Sequence, residues 1–266
     1  MTYFALTQIN VYPVKSLGGL SAESAPVEAR GLRHDRRWML VNDAGRFLSQ
    51  RELPRMALIA PAVEASDLTL RAPGTAPLRV PLQSPGAASE AVSVWGSVCR
   101  AVAVGAEADE WFRNFLGVPC RLVFMPEETR RPVNPKYSAG EGIVSFADGY
   151  PLLLLGEASL DDLNTRLGSP VLMNRFRPNL VVSGSPAYAE DGWTKICIGG
   201  ATFHGVRACD RCGLITVDQA AGEATGPEPL KTLASYRLKD QKVLFGQLLI
   251  PDGAGVVRVG DPVEVL

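Results

Sequence analysis

This 266-residue sequence has few histidines, few cysteines and almost no net charge, and each of these features excludes some classes of protein. Only two histidines and five cysteines are present, and an odd number of cysteines in a chain of this length argues against a disulfide framework. The formal net charge is −1, whereas a general nucleic-acid or membrane-surface binder usually carries a large basic excess. Free thiols or metal ligands are therefore favoured over disulfide bridges.

The N-terminal residues also lack a basic stretch followed by an apolar run, so we expect no signal peptide, no membrane anchor and a cytoplasmic location. Hydrophobic residues make up 46% and charged residues 21% of the chain, which is typical of a folded globular protein. A polar, proline-rich segment at 125–142 has no apolar period. We interpret it as the connection between two domains, 1–125 and 126–266, or as a loop over a site.

The first half of the sequence is predicted to consist mainly of strands. Residues 5–14 and 36–43 are rich in β-branched and aromatic side chains, and 42–49 carries the Asn, Asp and Gly of a hairpin connection. The segment 68–82 predicts two more strands around a Pro/Gly turn. One helix is predicted at 107–117, because its aromatic residues have helical spacing and Gly117 follows them.

The second half predicts a buried strand at 150–156, from a short apolar run, and then a helix at 159–168. In that helix Ser159 is the expected N-terminal cap and Gly168 the expected left-handed residue at the C-terminus. Strands are predicted within 179–184, 195–208 and 213–218, and Asp252-Gly253 lies between two further strand-like runs. The predicted fold class is therefore α+β and β-rich.

The most distinctive short motif is "CDRC", which holds Cys209 and Cys212. A zinc site is poorly supported: His204 is the only nearby histidine, a structural site usually draws on two tight ligand clusters, and no HxE segment is present. A thioredoxin-like pair needs a helix after its first thiol, but "GLITVD" looks extended. A soft transition metal held by one thiolate, with Arg207 and Arg211 stabilising the anion, remains open beside the simpler interpretation of buried apolar cysteines.

Two further segments point to an anionic ligand. "NRFRPNLVVSG" places Arg175, Arg177 and Asn179 ahead of a strand, where a guanidinium can grip a phosphate and an amide can read a heterocycle edge. "YPVKSLGG" offers Lys15 and Ser16 followed by glycines that allow an anion to approach backbone N–H groups. No GxxxxGK frame accompanies them, so a Walker nucleotide site is excluded.

Six ordered motifs resemble those of MOSC-domain proteins that carry an N-terminal MOSC β-barrel domain, a family that includes the mitochondrial amidoxime-reducing components and bacterial relatives. The motifs extend over nearly the whole chain: "YPVKSLGG", "GLRHDRRWMLV", "NRFRPNLVVSG", "EDGWTKICIG", "CDRCGLITVDQAAG" and "VRVGDPVEVL". The resemblance implies an N-terminal β-barrel-like domain and a MOSC-type β-barrel domain with a few helices. A cofactor site is expected between them.

The resemblance further implies the molybdenum cofactor, a pterin that carries a dithiolene and a phosphate. The second cysteine of the motif, Cys212, corresponds to the molybdenum ligand and the catalytic residue, and Cys209 becomes its neighbour. The implied cofactor-binding residues are Lys15, Ser16, Arg36, Asp148, Arg177, Asn179 and Arg211.

The implied activity is the reduction of N-hydroxylated compounds such as hydroxylamines and amidoximes. Within these 266 residues we find no second cysteine cluster for an iron–sulfur centre, so we expect electrons from a separate protein, such as a ferredoxin or a b-type cytochrome with its reductase. No membrane or nucleic-acid partner is expected. The alternative is a carrier that binds the cofactor or its sulfur and delivers it without turnover of its own.

Two departures from the family pattern concern the site. Gly149 and Tyr150 follow Asp148 where relatives often have small hydroxyl residues, so the side-chain hydrogen bonds that the relatives make there are not carried over to this chain. Ile215 occupies a position where threonine is common, although Thr216 and Asp218 are retained.

Overall fold

The computed structural model describes residues 4–83, 89–134 and 142–266, in which strands predominate. The strands are β1 Phe4–Val11, β2 Leu20–Ala22, β3 Ser24–Glu28, β4 Gly31–Leu32, β5 Trp38–Val41, β6 Ala60–Val63, β7 Asp67–Arg71, β8 Leu78–Pro81, β9 Ser89–Val94, β10 Ser97–Ala103, β11 Arg121–Phe124, β12 Leu152–Gly156, β13 Leu180–Ser183, β14 Lys195–Ile198, β15 Ala201–Arg211, β16 Val217–Asp218, β17 Glu223–Ala224, β18 Leu238–Lys239, β19 Lys242–Pro251, β20 Gly255–Arg258 and β21 Pro262–Val265. The α-helices of the described residues are α1 Ala106–Leu116, α2 Glu157–Arg166 and α3 Leu230–Arg237.

Seven strands form a closed barrel in the order β12, β13, β1, β21, β14, β15, β19, and β19 returns to pair with β12. Closure leaves no edge strand in this ring to attract a foreign strand. The pair β12–β13 runs parallel, and the other neighbours in the ring run antiparallel. The β-rich class with a few helices is confirmed.

The barrel takes one strand from the start of the chain. Strand β1 lies between β13 and β21, with Ala5 opposite both Ser183 and Pro262, so residues from both sides of the predicted 125/126 boundary share one sheet. The register shifts between Leu6 and Gln8, and this bulge explains how Leu6 and Ile9, three residues apart, both face the barrel core. The exact domain boundary stays a prediction.

A second, open sheet has the order β5, β11, β10, β9 and packs on its own buried cluster, which includes Met39, Phe47 and Phe146. Helix α1 packs against another cluster through Phe112 and Phe115, as its helical spacing predicts. Gly117 ends this helix with φ +73°, a left-handed conformation that glycine adopts without strain. The hairpin connection after β5 and the strand pair β7–β8 are also present.

The predicted ends of helix α2 are wrong. The helix begins at Glu157, so Ser159 lies inside its first turn and its hydroxyl donates to the Glu190 carboxylate at 2.7 Å. Glu190, buried and distant in sequence, also accepts from the Gly156 N–H and so acts as the cap. At the other end the helix stops at Arg166 with Leu167 extended, and Gly168 does not have a positive φ.

The segment after Cys212 was predicted to be extended, but residues 213–216 form a 3-10 turn and only Val217–Asp218 belong to a strand. The strands on either side of Asp252-Gly253 are present, but they belong to different sheets, because β20 pairs with β3.

The predicted connection at 125–142 falls partly outside the described residues, since 135–141 are not among them. Its flanks are held by an antiparallel bridge between Pro132 and Ile143. All five cysteines are free thiols. Across the described ranges no helix is both long and apolar enough to cross a bilayer.

Candidate functional site

A cavity of about 470 Å³ gathers residues from both halves of the chain. The eight residues that the sequence singled out all line it: Lys15, Ser16, Arg36, Asp148, Arg177, Asn179, Arg211 and Cys212. They come from the turn after β1, the turn before β5, the segment before β12, the segment before β13 and the end of β15. The fold therefore brings together positions that are up to 197 residues apart in the printed numbering.

Lys15 and Asp148 form an ion pair in the cavity wall. The Lys15 ammonium also donates to the Phe146 carbonyl at 2.9 Å, and its burial is the main cause that lowers its pKa. Burial alone would raise the pKa of the Asp148 carboxyl, but the charge and hydrogen bond of Lys15 outweigh it, and the pKa falls well below its usual range. The Asp148 side chain keeps 59% of its surface open although protein surrounds the cavity, so the carboxylate faces the cavity space.

Arg131 holds the segment that carries Asp148. Its buried guanidinium donates to the carbonyls of Ser145 at 2.7 Å, Ala147 at 2.6 Å and Asp148 at 3.1 Å. It also reaches Ser97 Oγ at 3.3 Å, at the start of β10. Four bonds from one planar group fix the Asp148 segment relative to the open sheet.

A fully hydrogen-bonded network supports Arg36. Its Nη1 contacts Asp35 Oδ2 at 2.6 Å and Asn179 Oδ1 at 3.0 Å. The Asn179 amide donates to Asp35 Oδ1 at 3.0 Å and the Asn10 carbonyl at 3.1 Å, and its oxygen also accepts from the Leu153 N–H. All four of its hydrogen-bonding positions are thus used within the protein. In this geometry Asn179 holds Arg36 in place, and its role in binding a heterocycle stays a prediction.

Arg177 is the most exceptional cation of the cavity. It is buried, adopts φ +56°, and its Nη2 has no hydrogen-bond partner among the described residues. Its guanidinium lies 4.3 Å from the Tyr12 ring centre, and Arg36 lies 4.4 Å from the same ring. Burial lowers the pKa of the Arg177 guanidinium to about 10, so it stays charged at neutral pH. Arg177 also borders a second cavity of about 310 Å³.

The two thiols have different surroundings. Cys209 accepts from Arg211 Nη1 at 3.4 Å, and burial raises the pKa of its thiol. Cys212 is exposed, and its sulfur contacts Arg51 Nη1 at 3.6 Å. Arg207 pairs with Asp210 at 2.7 Å, and its charge, like that of Arg211, acts against burial to lower the pKa of the Cys209 thiol. The accessible thiol is Cys212.

Four functional neighbours were missed from the sequence: Tyr12 and Asp35 at the buried end, and Arg51 and Trp95 at the exposed end. Arg51 stacks on Trp95, with 4.6 Å between the guanidinium carbon and the ring centre. Trp95 directly precedes Gly96 between two strand-like runs, and this unusual hairpin tip was the available signal.

Other sequence candidates lie elsewhere. Arg175 pairs with Asp218 at 2.8 Å and does not line the cavity. The glycines after Ser16 allow close packing, because a Cβ at Gly18 would lie 2.8 Å from the Ile59 carbonyl and one at Gly19 would lie 2.5 Å from the Tyr12 ring. Both glycines line the second cavity and not the first. His204 pairs with Asp252, and the described ranges contain no group of three or more His, Cys, Asp or Glu side chains suited to a metal ion.

Family profiles match both halves of the chain: the MOSC N-terminal beta barrel domain at residues 3–119 and the MOSC domain at residues 141–264. Mitochondrial amidoxime-reducing component 1 of Mus musculus is 38% identical over 98% of this chain and 82% of its own length. The chain belongs to the MOSC-domain family with an N-terminal MOSC barrel. The protein of the same name from Homo sapiens is 37% identical, over 98% of this MOSC protein and 82% of its own length.

A second kind of relative is much longer than this MOSC protein and matches it over only part of its own length. The molybdenum cofactor sulfurase of Oryza sativa subsp. japonica is 36% identical over 92% of this chain, but the match spans 32% of the sulfurase. The name of the sulfurase links the family to the molybdenum cofactor, and the name of the mitochondrial relatives links it to amidoxime reduction.

Proposed function

We propose that this MOSC protein is a molybdenum-cofactor-dependent reductase of N-hydroxylated compounds, such as hydroxylamines and amidoximes. The observation that carries the proposal is one cavity in which an exposed thiol, Cys212, lies beside several cations. Relatives named amidoxime-reducing components, at 37–38% identity, support the choice of reaction.

The charges of the cavity fit an anionic pterin with a phosphate and a dithiolene. Of its cations, Lys15, Arg36 and Arg207 have carboxylate partners. Arg51, Arg177 and Arg211 form no ion pair within the described residues, and buried nitrogens of Arg177 and Arg211 lack hydrogen-bond partners there. Unpaired buried donors are costly, so a ligand that accepts from them would be bound favourably.

In this proposal the protein's own residues divide the work. Arg177 and Arg211 bind the anionic parts of the cofactor, Lys15 and Ser16 bind its polar edge, and Cys212 is the metal ligand. Asn179 and Asp35 hold Arg36 in place, and Arg131 holds Asp148. The bound cofactor supplies two-electron chemistry that removes oxygen from an N-hydroxyl group, while the protein supplies orientation and electrostatics.

The electrons in this proposal come from a separate protein, such as a ferredoxin or a b-type cytochrome with its reductase. The location is proposed to be the cytoplasm, which fractionation of the native cells tests.

Cofactor content is the first test. The protein should be purified from a host that makes the cofactor and is supplied with molybdate, and molybdenum and oxidised pterin should be measured. Wild type is expected to hold both near equimolar amounts, Cys212→Ala to lose molybdenum and reductase activity, and the matched Cys209→Ala to keep much of each. Arg177→Ala is expected to lower retained pterin without unfolding the chain. A folded wild type that retains neither group would contradict the proposal.

A cofactor or sulfur carrier is the second candidate, and the match to a molybdenum cofactor sulfurase favours it. Both functions need the cofactor-binding residues, but only the reductase turns over substrate. A carrier would hold cofactor, deliver it to a cofactor-free acceptor enzyme, and show no reduction of hydroxylamines or amidoximes with an artificial electron donor.

A further inference from the structure

The exposed end of the cavity carries an aromatic side chain in an unfavourable conformation. Trp95 and Gly96 form the two-residue turn between β9 and β10, since Val94 pairs with Ser97. Trp95 has φ +55°, whereas Gly96 does not have a positive φ. A bulky side chain is disfavoured in this region and glycine is tolerated, so the order Trp-Gly is the opposite of what the turn alone would favour. Such strain is typical of functional positions.

Trp95 is also more exposed than a tryptophan that only stabilises the fold would be. It keeps 55% of its surface open while lining the cavity. The indole contacts Phe47, with 5.3 Å between ring centres. Burial raises the pKa of the Asp148 carboxyl, whereas the charge and hydrogen bond of Lys15, joined by a hydrogen bond from Trp95, lower it. These contacts hold the ring but leave much of it open to a ligand.

Arg51 links this ring to the thiol. Its guanidinium carbon lies 4.6 Å from the Trp95 ring centre, and its Nη1 lies 3.6 Å from Cys212 Sγ. One planar group therefore contacts both the indole and the sulfur. Trp95 and Cys212 line the same cavity, so the open surface of the indole faces the space in which a molecule would lie beside Cys212.

We propose that Trp95 is the specificity-determining residue of the site, which stacks a planar, π-conjugated N-hydroxylated substrate beside Cys212, with Arg51 as the residue that positions the indole. Offset stacking on an indole favours a flat conjugated partner over a small aliphatic one. This inference rests on the proposed reductase function for its substrate class.

Two probes with the same reacting group test the inference: benzamidoxime, which is aromatic, and acetamidoxime, which is not. Binding of each to oxidised protein, without an electron donor, is measured by saturation-transfer NMR. Turnover is measured separately with a small artificial donor. All comparisons use preparations of equal pterin content.

For Trp95→Ala we expect the Kd of benzamidoxime to rise about tenfold and that of acetamidoxime by less than twofold. The ratio of kcat/KM values for the two probes should fall by a similar factor, through KM. Trp95→Phe should retain most of the preference, and Arg51→Lys, which keeps the charge without the flat group, should lose part of it. Val98→Ala is the matched control, because Val98 is 71% exposed on the same hairpin but does not line the cavity.

An unchanged ratio in Trp95→Ala, or an equal change in Val98→Ala, overturns the inference. A defect seen only with a protein electron donor also overturns it, because Trp95 would then be a donor-docking residue. If wild type reduces neither probe but Trp95→Ala still weakens benzamidoxime binding selectively, the proposed function fails and the stacking role stands. If wild type reduces both probes with equal efficiency, the function stands and the stacking role fails.

Discussion

The buried and exposed ends of the cavity differ in how completely their side chains are hydrogen-bonded within the protein. At the buried end, Asp35, Arg36 and Asn179 satisfy one another through hydrogen bonds, and Asn179 is only 1% exposed. At the exposed end, Trp95 is strained and open, and Arg51 has a single hydrogen bond among the described residues, to Cys212. We therefore expect the buried end to contribute more to the stability of the fold than the exposed end, which we propose contributes mainly to ligand binding.

The closed barrel explains why the buried end can be so complete. Asn179 lies immediately before β13, which is flanked by β12 and β1, and its amide reaches Asn10 in β1 and Leu153 in β12. Three strands of one rigid ring thus fix one side chain. Trp95, by contrast, lies in a hairpin of the open sheet, and Arg51 lies in the segment between β5 and β6. Both are outside the ring.

The largest expected effect comes from removing Asn179. Asn179→Leu has similar volume but leaves the buried Asp35 and Arg36 without a shared partner, which should lower the free energy of unfolding by about 3 kcal/mol. Arg51→Ala at the exposed end should change it by less than about 0.5 kcal/mol. Urea denaturation of cofactor-free protein measures both. Equal losses in the two variants would remove the distinction between the ends.

The second prediction uses the Lys15–Asp148 pair, which lies between the two extremes. The folded-state pKa of Asp148 is depressed below the unfolded value, so its contribution to stability is present above the unfolded pKa, near pH 4, and is lost as pH falls through the folded value. Because the carboxylate is largely open to the cavity, we expect Asp148→Asn to cost only about 1 kcal/mol at pH 7.

The difference in unfolding free energy between wild type and Asp148→Asn should shrink as pH falls below about 4. Asp161→Asn, which removes an exposed carboxylate on α2, is the matched control and should follow wild type throughout. A difference between wild type and Asp148→Asn that did not change with pH would mean that the Lys15–Asp148 contact is not electrostatic in the folded protein.

The sequence predicted the cations of the cavity better than their arrangement. Lys15 and Arg177 stand out by residue type and by their strand-end positions, and the choice of Cys212 over Cys209 followed from the family motif. Asn179 was singled out as a cofactor contact, whereas the structure shows it hydrogen-bonded to four groups of the protein. The sequence could not show these bonds, because the partners come from segments far apart in the chain. Long-range hydrogen bonds of this kind leave no local pattern.

The fold shows the same limit. Local periodicity predicted most strands and helix α1, but it could not show that β1 closes a barrel with strands of the second half, or that Glu190 caps α2 from outside the helix. Arg51 and Trp95 were missed because Arg51 contacts Cys212, and Trp95 contacts Arg51, only in the folded chain, although the Trp-Gly order at the turn was a usable signal.

The smallest expected effect tests whether the exposed end stores strain. Trp95→Gly and Trp95→Ala both remove the indole, so they lose the same contacts with Phe47 and Arg51. They differ in the backbone, because alanine at φ +55° carries a cost of about 1 kcal/mol that glycine avoids. Trp95→Gly should therefore be the more stable of the two by about that amount in urea denaturation.

Gly96→Ala is the matched control for this turn, since Gly96 lacks a positive φ and a Cβ there would meet nothing within 4 Å. It should change stability by only a few tenths of a kcal/mol. If Trp95→Ala equals Trp95→Gly in stability, the turn relaxes without the indole, and the strain belongs to the way Phe47, Arg51 and Asp148 hold the ring. If alanine is less stable, the strain is intrinsic to the turn, and the hairpin keeps tryptophan at a glycine position at the expense of stability.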